Sequence, residues 1–76
     1  MSDVTYKNYT IKLRSQYDHV RNKWEPLAMV WQKQDTLNVG HPISSAEWQD
    51  TKALAHAVAL ERAKVWVDAK EEGKGR

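Results

Sequence analysis

Residues 44–70 constrain this chain more than any other stretch: SSAEWQDTKALAHAVALERAKVWVDAK, without a Gly or Pro until Gly73. Ala, Leu, Glu, Lys, Arg and Gln dominate it, all strong helix formers. Ser44 and Glu47 have the spacing of a capping box, each side chain reaching the other's backbone amide. A helix over 44–70 is therefore predicted. At 100° per residue, Trp48, Leu54, Ala55, Val58, Ala59, Val65, Trp66 and Ala69 make one broad apolar face, the side expected to close over the first half of the chain.

The first half reads as strands. Over 9–17, Tyr9, Ile11 and Leu13 alternate with Thr10, Lys12, Arg14 and Gln16, a period of two that predicts a half-buried strand with a cationic outer face. Asn8 tolerates a left-handed turn just before it. Residues 18–23 are polar apart from Val20 and predict a hairpin loop. A second strand is expected over 24–33, with Pro26, which has no ladder donor, at its entrance and pairing from Leu27 onward. This strand is apolar on both faces: Trp24, Ala28 and Val30 on one, Leu27, Met29 and Trp31 on the other. Such a strand is usually central or covered on both sides. Leu37 and Val39 alternate ahead of Gly40 and Pro42, which predicts a short third strand over 36–41. Ile43 is placed as a hydrophobic staple onto the first helical turn.

The fold class that follows is α+β: a three-stranded antiparallel sheet with one long C-terminal helix packed on one face, in the order β-β-β-α. The expected core is Tyr9, Ile11, Leu13, Ala28, Val30, Leu54, Val58 and Trp66. With 76 residues the chain is read as a single domain, ordered over about 6–70, with 71–76 as a polar, flexible tail.

The pattern Tyr6-Lys7-Asn8-Tyr9, then Trp24 with Ala28 and Val30, then Trp66-Val67-Asp68, resembles a loose class of small bacterial and phage proteins, mostly uncharacterised. These open with Y-K-G-Y, continue with a W-x-A-x-V-like strand and close a helix on W-I-D. The β-β-β-α order is also similar to the arm-type DNA-binding domain of tyrosine recombinases, where the sheet faces DNA. The likeness spans roughly residues 6–68. Here Asn8 stands where the class has Gly, Pro26 interrupts the second strand, and Glu47 is the only acid in the expected first helical turn. The resemblance implies the architecture and transfers no functional residue.

Chemistry-bearing patterns are few. The chain has no Cys, which removes disulfides and thiolate zinc sites. None of His19, His41 and His56 has a His, Asp or Glu at i+3 or i+4, so no helix-borne ligand pair is expected. The carboxylates are scattered singly, and neither a phosphate loop nor a nucleophile elbow occurs. The expectation is a protein that is not an enzyme, with no metal, cofactor or small-molecule substrate. The start has no apolar leader and no run nears 18 apolar residues, so a cytoplasmic protein with no membrane partner is expected.

Two surfaces then carry the functional reading. Lys12, Arg14, Arg21 and Lys23 would form a cationic strip on the sheet, a candidate nucleic-acid contact through phosphates, although net charge is only +2. Against it stands a solubilising outer face. The second surface is apolar. Ala53, Ala57, Leu60 and Val67 form a heptad-like line on the far side of the expected helix. Leu27, Met29 and Trp31 occupy the sheet face that one helix cannot cover. A helix of about 26 residues, roughly 39 Å long, would also overhang a globule of roughly 30 Å. The preferred expectation is therefore a small interaction module that forms a homodimer or binds another protein through Leu27, Met29, Trp31, Leu60 and Val67. A phage-style regulator of a host protein fits that class. The alternative is a nucleic-acid-binding domain using the basic sheet face.

Overall fold

The structure is a computed structural model and describes residues 3–32 and 40–74. In chain order the elements are β1 (Asp3–Tyr6), β2 (Tyr9–Leu13), β3 (Gln16–Asp18), β4 (Lys23–Glu25), β5 (Leu27–Gln32), β6 (His41–Ser44) and α1 (Lys52–Lys74). The class is α+β as expected, but the sheet is not three-stranded. Four antiparallel strands run in the order β1-β2-β5-β6, and β3 and β4 pair as a separate two-stranded sheet.

The two sheets come from one long bent hairpin. Leu13 pairs with Ala28 and Gln16 with Glu25, so a single register carries from β2–β5 through into β3–β4. The break falls where Ser15 stands opposite Pro26. Proline has no N–H to give to a ladder, and Pro26 is fully buried at the bend. Pairing from Leu27 onward, after a proline interruption, agrees with the sequence reading. So does the loop between β3 and β4, where Asp18 Oδ1 accepts from the Val20 N–H (2.8 Å) and the Arg21 N–H (3.1 Å).

Strand β1 is an addition. Its hairpin to β2 turns on Lys7 (φ 47°) and Asn8 (φ 65°), both in the left-handed region. A two-residue loop with both centres at positive φ matches the right-handed twist of the strands it joins. The left-handed turn expected at Asn8 is therefore present, and Val4 and Thr5 supply β-prone residues ahead of it.

Helix α1 begins eight residues later than expected. Ser44 is not a cap: it is the last residue of β6, paired with Leu27. Ile43 is not a staple: it lies opposite Ala28 and is buried in the core. After β6 the chain runs back past the bend, where the Trp24 N–H donates to the Gln49 carbonyl (2.7 Å) and the Gln49 N–H to the Trp24 carbonyl (2.9 Å). The helix is capped instead by Thr51, whose hydroxyl accepts the Leu54 N–H at 3.2 Å. Its far end runs through Gly73 to Lys74, so most of the expected tail is helical; residues 75–76 lie outside the described residues. The third strand expected over 36–41 lies largely outside them too.

The helix is rotated from the expectation: Ala55 and Ala59 of the expected face are buried, but its larger members Leu54 and Val65 are not. Ala55, Ala59, Ala63 and Val67 are its buried residues, packing over Tyr9, Ile11, Ala28, Val30 and Ile43. Their spacing of four makes a ridge of small side chains that lets the helix backbone approach the sheet closely. Leu54, assigned to the core, is 51% exposed, and Val65 is 59% exposed. Leu13 and Trp66 flank the core half-buried. The molecule measures 43 × 22 × 17 Å. Helix α1 has 23 residues, about 35 Å at 1.5 Å per residue.

Candidate interaction surface

Antiparallel register decides which side chains share a face. Lys12 lies between Asp3 and Met29, Thr10 between Thr5 and Trp31, Pro42 beyond Met29, and Ser44 beside Leu27. The buried residues Ile11, Ala28, Val30 and Ile43 alternate with these and face α1. The sheet face away from the helix therefore carries Leu27, Met29 and Trp31, half-buried, beside exposed Lys12, Arg14 and Pro42. The apolar and basic groups that the sequence set on separate candidate surfaces share this one face.

Trp31 is held by its neighbours. The Lys12 ammonium sits 5.4 Å from the centre of its ring system, within cation–π range. Just ahead of β6, a Cβ on Gly40 would lie 2.7 Å from Trp31 Cε2 and 2.8 Å from Nε1. The indole thus occupies the space a side chain at residue 40 would need. A cross-strand aromatic covering a glycine is a recognised way to pin a sheet register. A shallow groove continues from there, lined by Arg14, Gln16, Glu25, Leu27, Met29 and Pro42.

The helix residues of the expected interface are not on this surface. Val67 is 0% exposed and belongs to the core, and Leu60 packs half-buried against it. The line taken for a free seam is split: Ala53 and Ala57 are exposed, while Leu60 and Val67 turn toward the sheet. Leu54 and Val65 are the large apolar residues that α1 leaves open, with Val58 half-buried between them.

The four cations divide as well. Arg21 and Lys23 belong to the β3–β4 hairpin and are engaged there. Arg21 stacks 4.4 Å from Trp48 and lies 3.6 Å from Asp18, while Lys23 pairs with Asp50. Lys12 and Arg14 form no ion pair among the described residues, and Asp3 and Glu25 are the acids on their face. Thus two of the four cations, Lys12 and Arg14, lie on the open sheet face without an ion pair among the described residues.

Two polar clusters tie the elements together. At one end, Asp68 accepts hydrogen bonds from the Tyr6 hydroxyl and the Lys7 ammonium, both at 2.8 Å. Those bonds hold the Asp68 carboxyl below its ordinary pKa, Lys7 foremost and Tyr6 next. The same carboxylate raises Tyr6 and Lys7 above theirs. The contact fixes the β1–β2 turn to the last third of α1, where Trp66 stacks on His41 at 4.3 Å. At the bend, the buried Ser15 hydroxyl accepts the Leu27 N–H (3.3 Å) and lies 3.0 Å from His56 Nδ1. Burial, and secondarily Lys52, lowers the His56 pKa, which favours the neutral ring beside Ser15.

This Ser–His contact has the separation of a nucleophile and its base. Ser15 is only 8% exposed, however, and among the described residues no carboxylate orients the imidazole. Its evident work is to satisfy backbone left unpaired opposite Pro26. No group of three or more His, Cys, Asp and Glu lies close enough to hold a metal among the described residues. No described helix is long and apolar enough to cross a membrane.

In sequence comparisons, no protein-family model and no curated protein matches this chain.

Proposed function

We propose that this protein is a non-catalytic interaction module that binds a protein partner through the open face of its four-stranded sheet. One observation carries the reading: α1 covers a single face, and the other presents Leu27, Met29, Trp31 and Pro42 together. Large apolar and aromatic side chains grouped on a polar-rimmed surface are the usual core of a protein interface. A regulatory role in a bacterial or phage cytoplasm fits such a module.

The test is a photo-cross-linker placed at Met29, with Leu54 as the control position. A defined protein adduct at residue 29, lost on Leu27→Lys and retained on Leu54→Lys, is expected. Equal labelling from both positions, or none at residue 29, overturns the proposal.

A second reading rests on the free cations. Lys12 lies over Trp31 and Arg14 stands beside Leu27 on this face, neither in an ion pair among the described residues, an arrangement that suits nucleic-acid phosphates. Under that reading the wild type binds duplex DNA, and Lys12→Gln with Arg14→Gln flattens the log–log salt dependence by roughly 1.8, about 0.9 per lost contact. Binding that survives the double change removes this face from nucleic-acid recognition.

A further inference from the structure

The two edges of the main sheet are not equivalent. The Arg14 N–H donates to the Leu27 carbonyl at 2.7 Å, which sets the phase of the ladder. Backbone groups of Leu27, Met29 and Trp31 then point to β2, and those of Ala28 and Val30 point to β6. Carried outward through the register, Ile43 and His41 of β6 bond to β5, leaving Pro42 and Ser44 turned to solvent. Pro42 has no N–H to offer, so that edge is blocked by a device typical of protected sheets.

The same phase leaves Asp3 and Thr5 of β1 with their N–H and C=O groups outward, while Val4 and Tyr6 bond to β2. The two-residue turn agrees, since Tyr6 and Tyr9 flank it as a bonded pair. Among the described residues no proline or bulge guards this edge; its charges are Asp3 on the open face and Lys7 and Lys64 around the Tyr6 ring. Helix α1 lies across β2, β5 and β6. Val4 and Tyr6 remain half-buried on the helix side, with no further strand beyond them among the described residues.

We infer that β1 pairs antiparallel with β1 of a second copy, joining two four-stranded sheets into one of eight strands. The occupant follows from self-complementarity. An isologous contact must match outward-facing residues with one another about a two-fold axis. With the axis through Thr5, the two Thr5 residues exchange both backbone hydrogen bonds. Val4 then faces Tyr6 of the second copy on the helix side, and Asp3 meets the turn that carries Lys7. Threonine pairs and aliphatic–aromatic pairs are both favourable across strands. An axis that set Asp3 opposite Asp3 would place like charges together. The inference stands apart from whatever the open face binds.

The absence of cysteine makes the test clean. In a directly bonded antiparallel pair the Cα atoms lie about 5.5 Å apart, inside the range a disulfide bridges. Thr5→Cys is expected to give a disulfide-linked dimer under mild oxidation. Thr10→Cys, one strand further in on the same face, is expected to stay monomeric. Sedimentation of the wild type at high micromolar concentration should show a dimer. Thr5→Pro, which removes an outward N–H and leaves the β1–β2 ladder intact, should return it to monomer with unchanged circular dichroism. A wild type that sediments as monomer throughout overturns the inference. So does a dimer that persists in Thr5→Pro, or cross-linking from residue 10 as readily as from residue 5.

Discussion

Gly40 shows how a single residue sets the open face. A methyl group there would meet three atoms of the Trp31 indole between 2.7 and 2.9 Å, closer than real side-chain carbons approach. The indole is a rigid plate, so relief requires moving either the ring or strand β6. Gly40→Ala should therefore destabilise by about 1–3 kcal/mol, the usual cost of overpacking. Introduced into a Trp31→Ala background, the same change should cost close to nothing. A chemical-denaturation double-mutant cycle measures the difference; additive effects would mean that the ring and the glycine are not in contact.

For the helix, the question is which face turns inward. Its inner ridge is built from alanines and ends on Val67, so most of the burial comes from the sheet side chains it covers. Val67→Ala should cost about 2 kcal/mol, since a fully buried Val is worth roughly 1.5–3 kcal/mol and truncation also leaves a cavity. Leu54→Ala, on the exposed side, should fall within about 0.5 kcal/mol of wild type. Thermal unfolding of the two variants decides the orientation, and the reverse order would turn the helix by about half a revolution.

Across the whole molecule, the bend is where everything meets. Ser15 lies between β2 and β3, Leu27 opens β5, and His56 reaches in from α1; one hydroxyl joins all three. Protonated His56 would carry a charge into this partly desolvated site beside the Lys52 ammonium, the two effects that lower its pKa. The folded-state pKa of His56 lies below the ordinary 6.5, so the folded protein binds this proton less readily than the unfolded chain. Linkage then makes the contribution of His56 complete above about pH 6.5 and progressively lost as pH falls through the lower folded-state value. Denaturation midpoints at pH 7.5 and 5 should drop together with pH in the wild type and drop less in His56→Gln. Identical pH responses would take His56 out of the account.

Much of the sheet was legible along the chain. Alternation of Tyr9, Ile11 and Leu13 with Thr10 and Lys12 gave the inward and outward faces of β2, because a strand's two-residue period admits one inside. Pro26 signalled an irregularity, because a missing N–H is a covalent fact; it was placed at a strand's entrance, and the structure makes it the break between two sheets. The exposure of Leu27, Met29 and Trp31 followed from counting one helix against two sheet faces. The helix was another matter. Of its two apolar lines, Leu54–Val58–Val65 has the larger side chains and so dominated the expected face, while Ala55–Ala59–Ala63–Val67, two of whose members shared that face, was not separable from it by periodicity. Closeness of packing against Ile11 and Val30 chose the smaller one. Its start was equally undetermined locally: Ser44 can cap a helix or end a strand, and Ile43 gains more by burial opposite Ala28 than by stapling a helical turn. The sequence alone thus determined the strand faces and their interruption, since those rest on local period and covalent structure. Only tertiary packing decided where the helix begins and which side it buries, since there two local solutions of similar free energy competed for the same sheet.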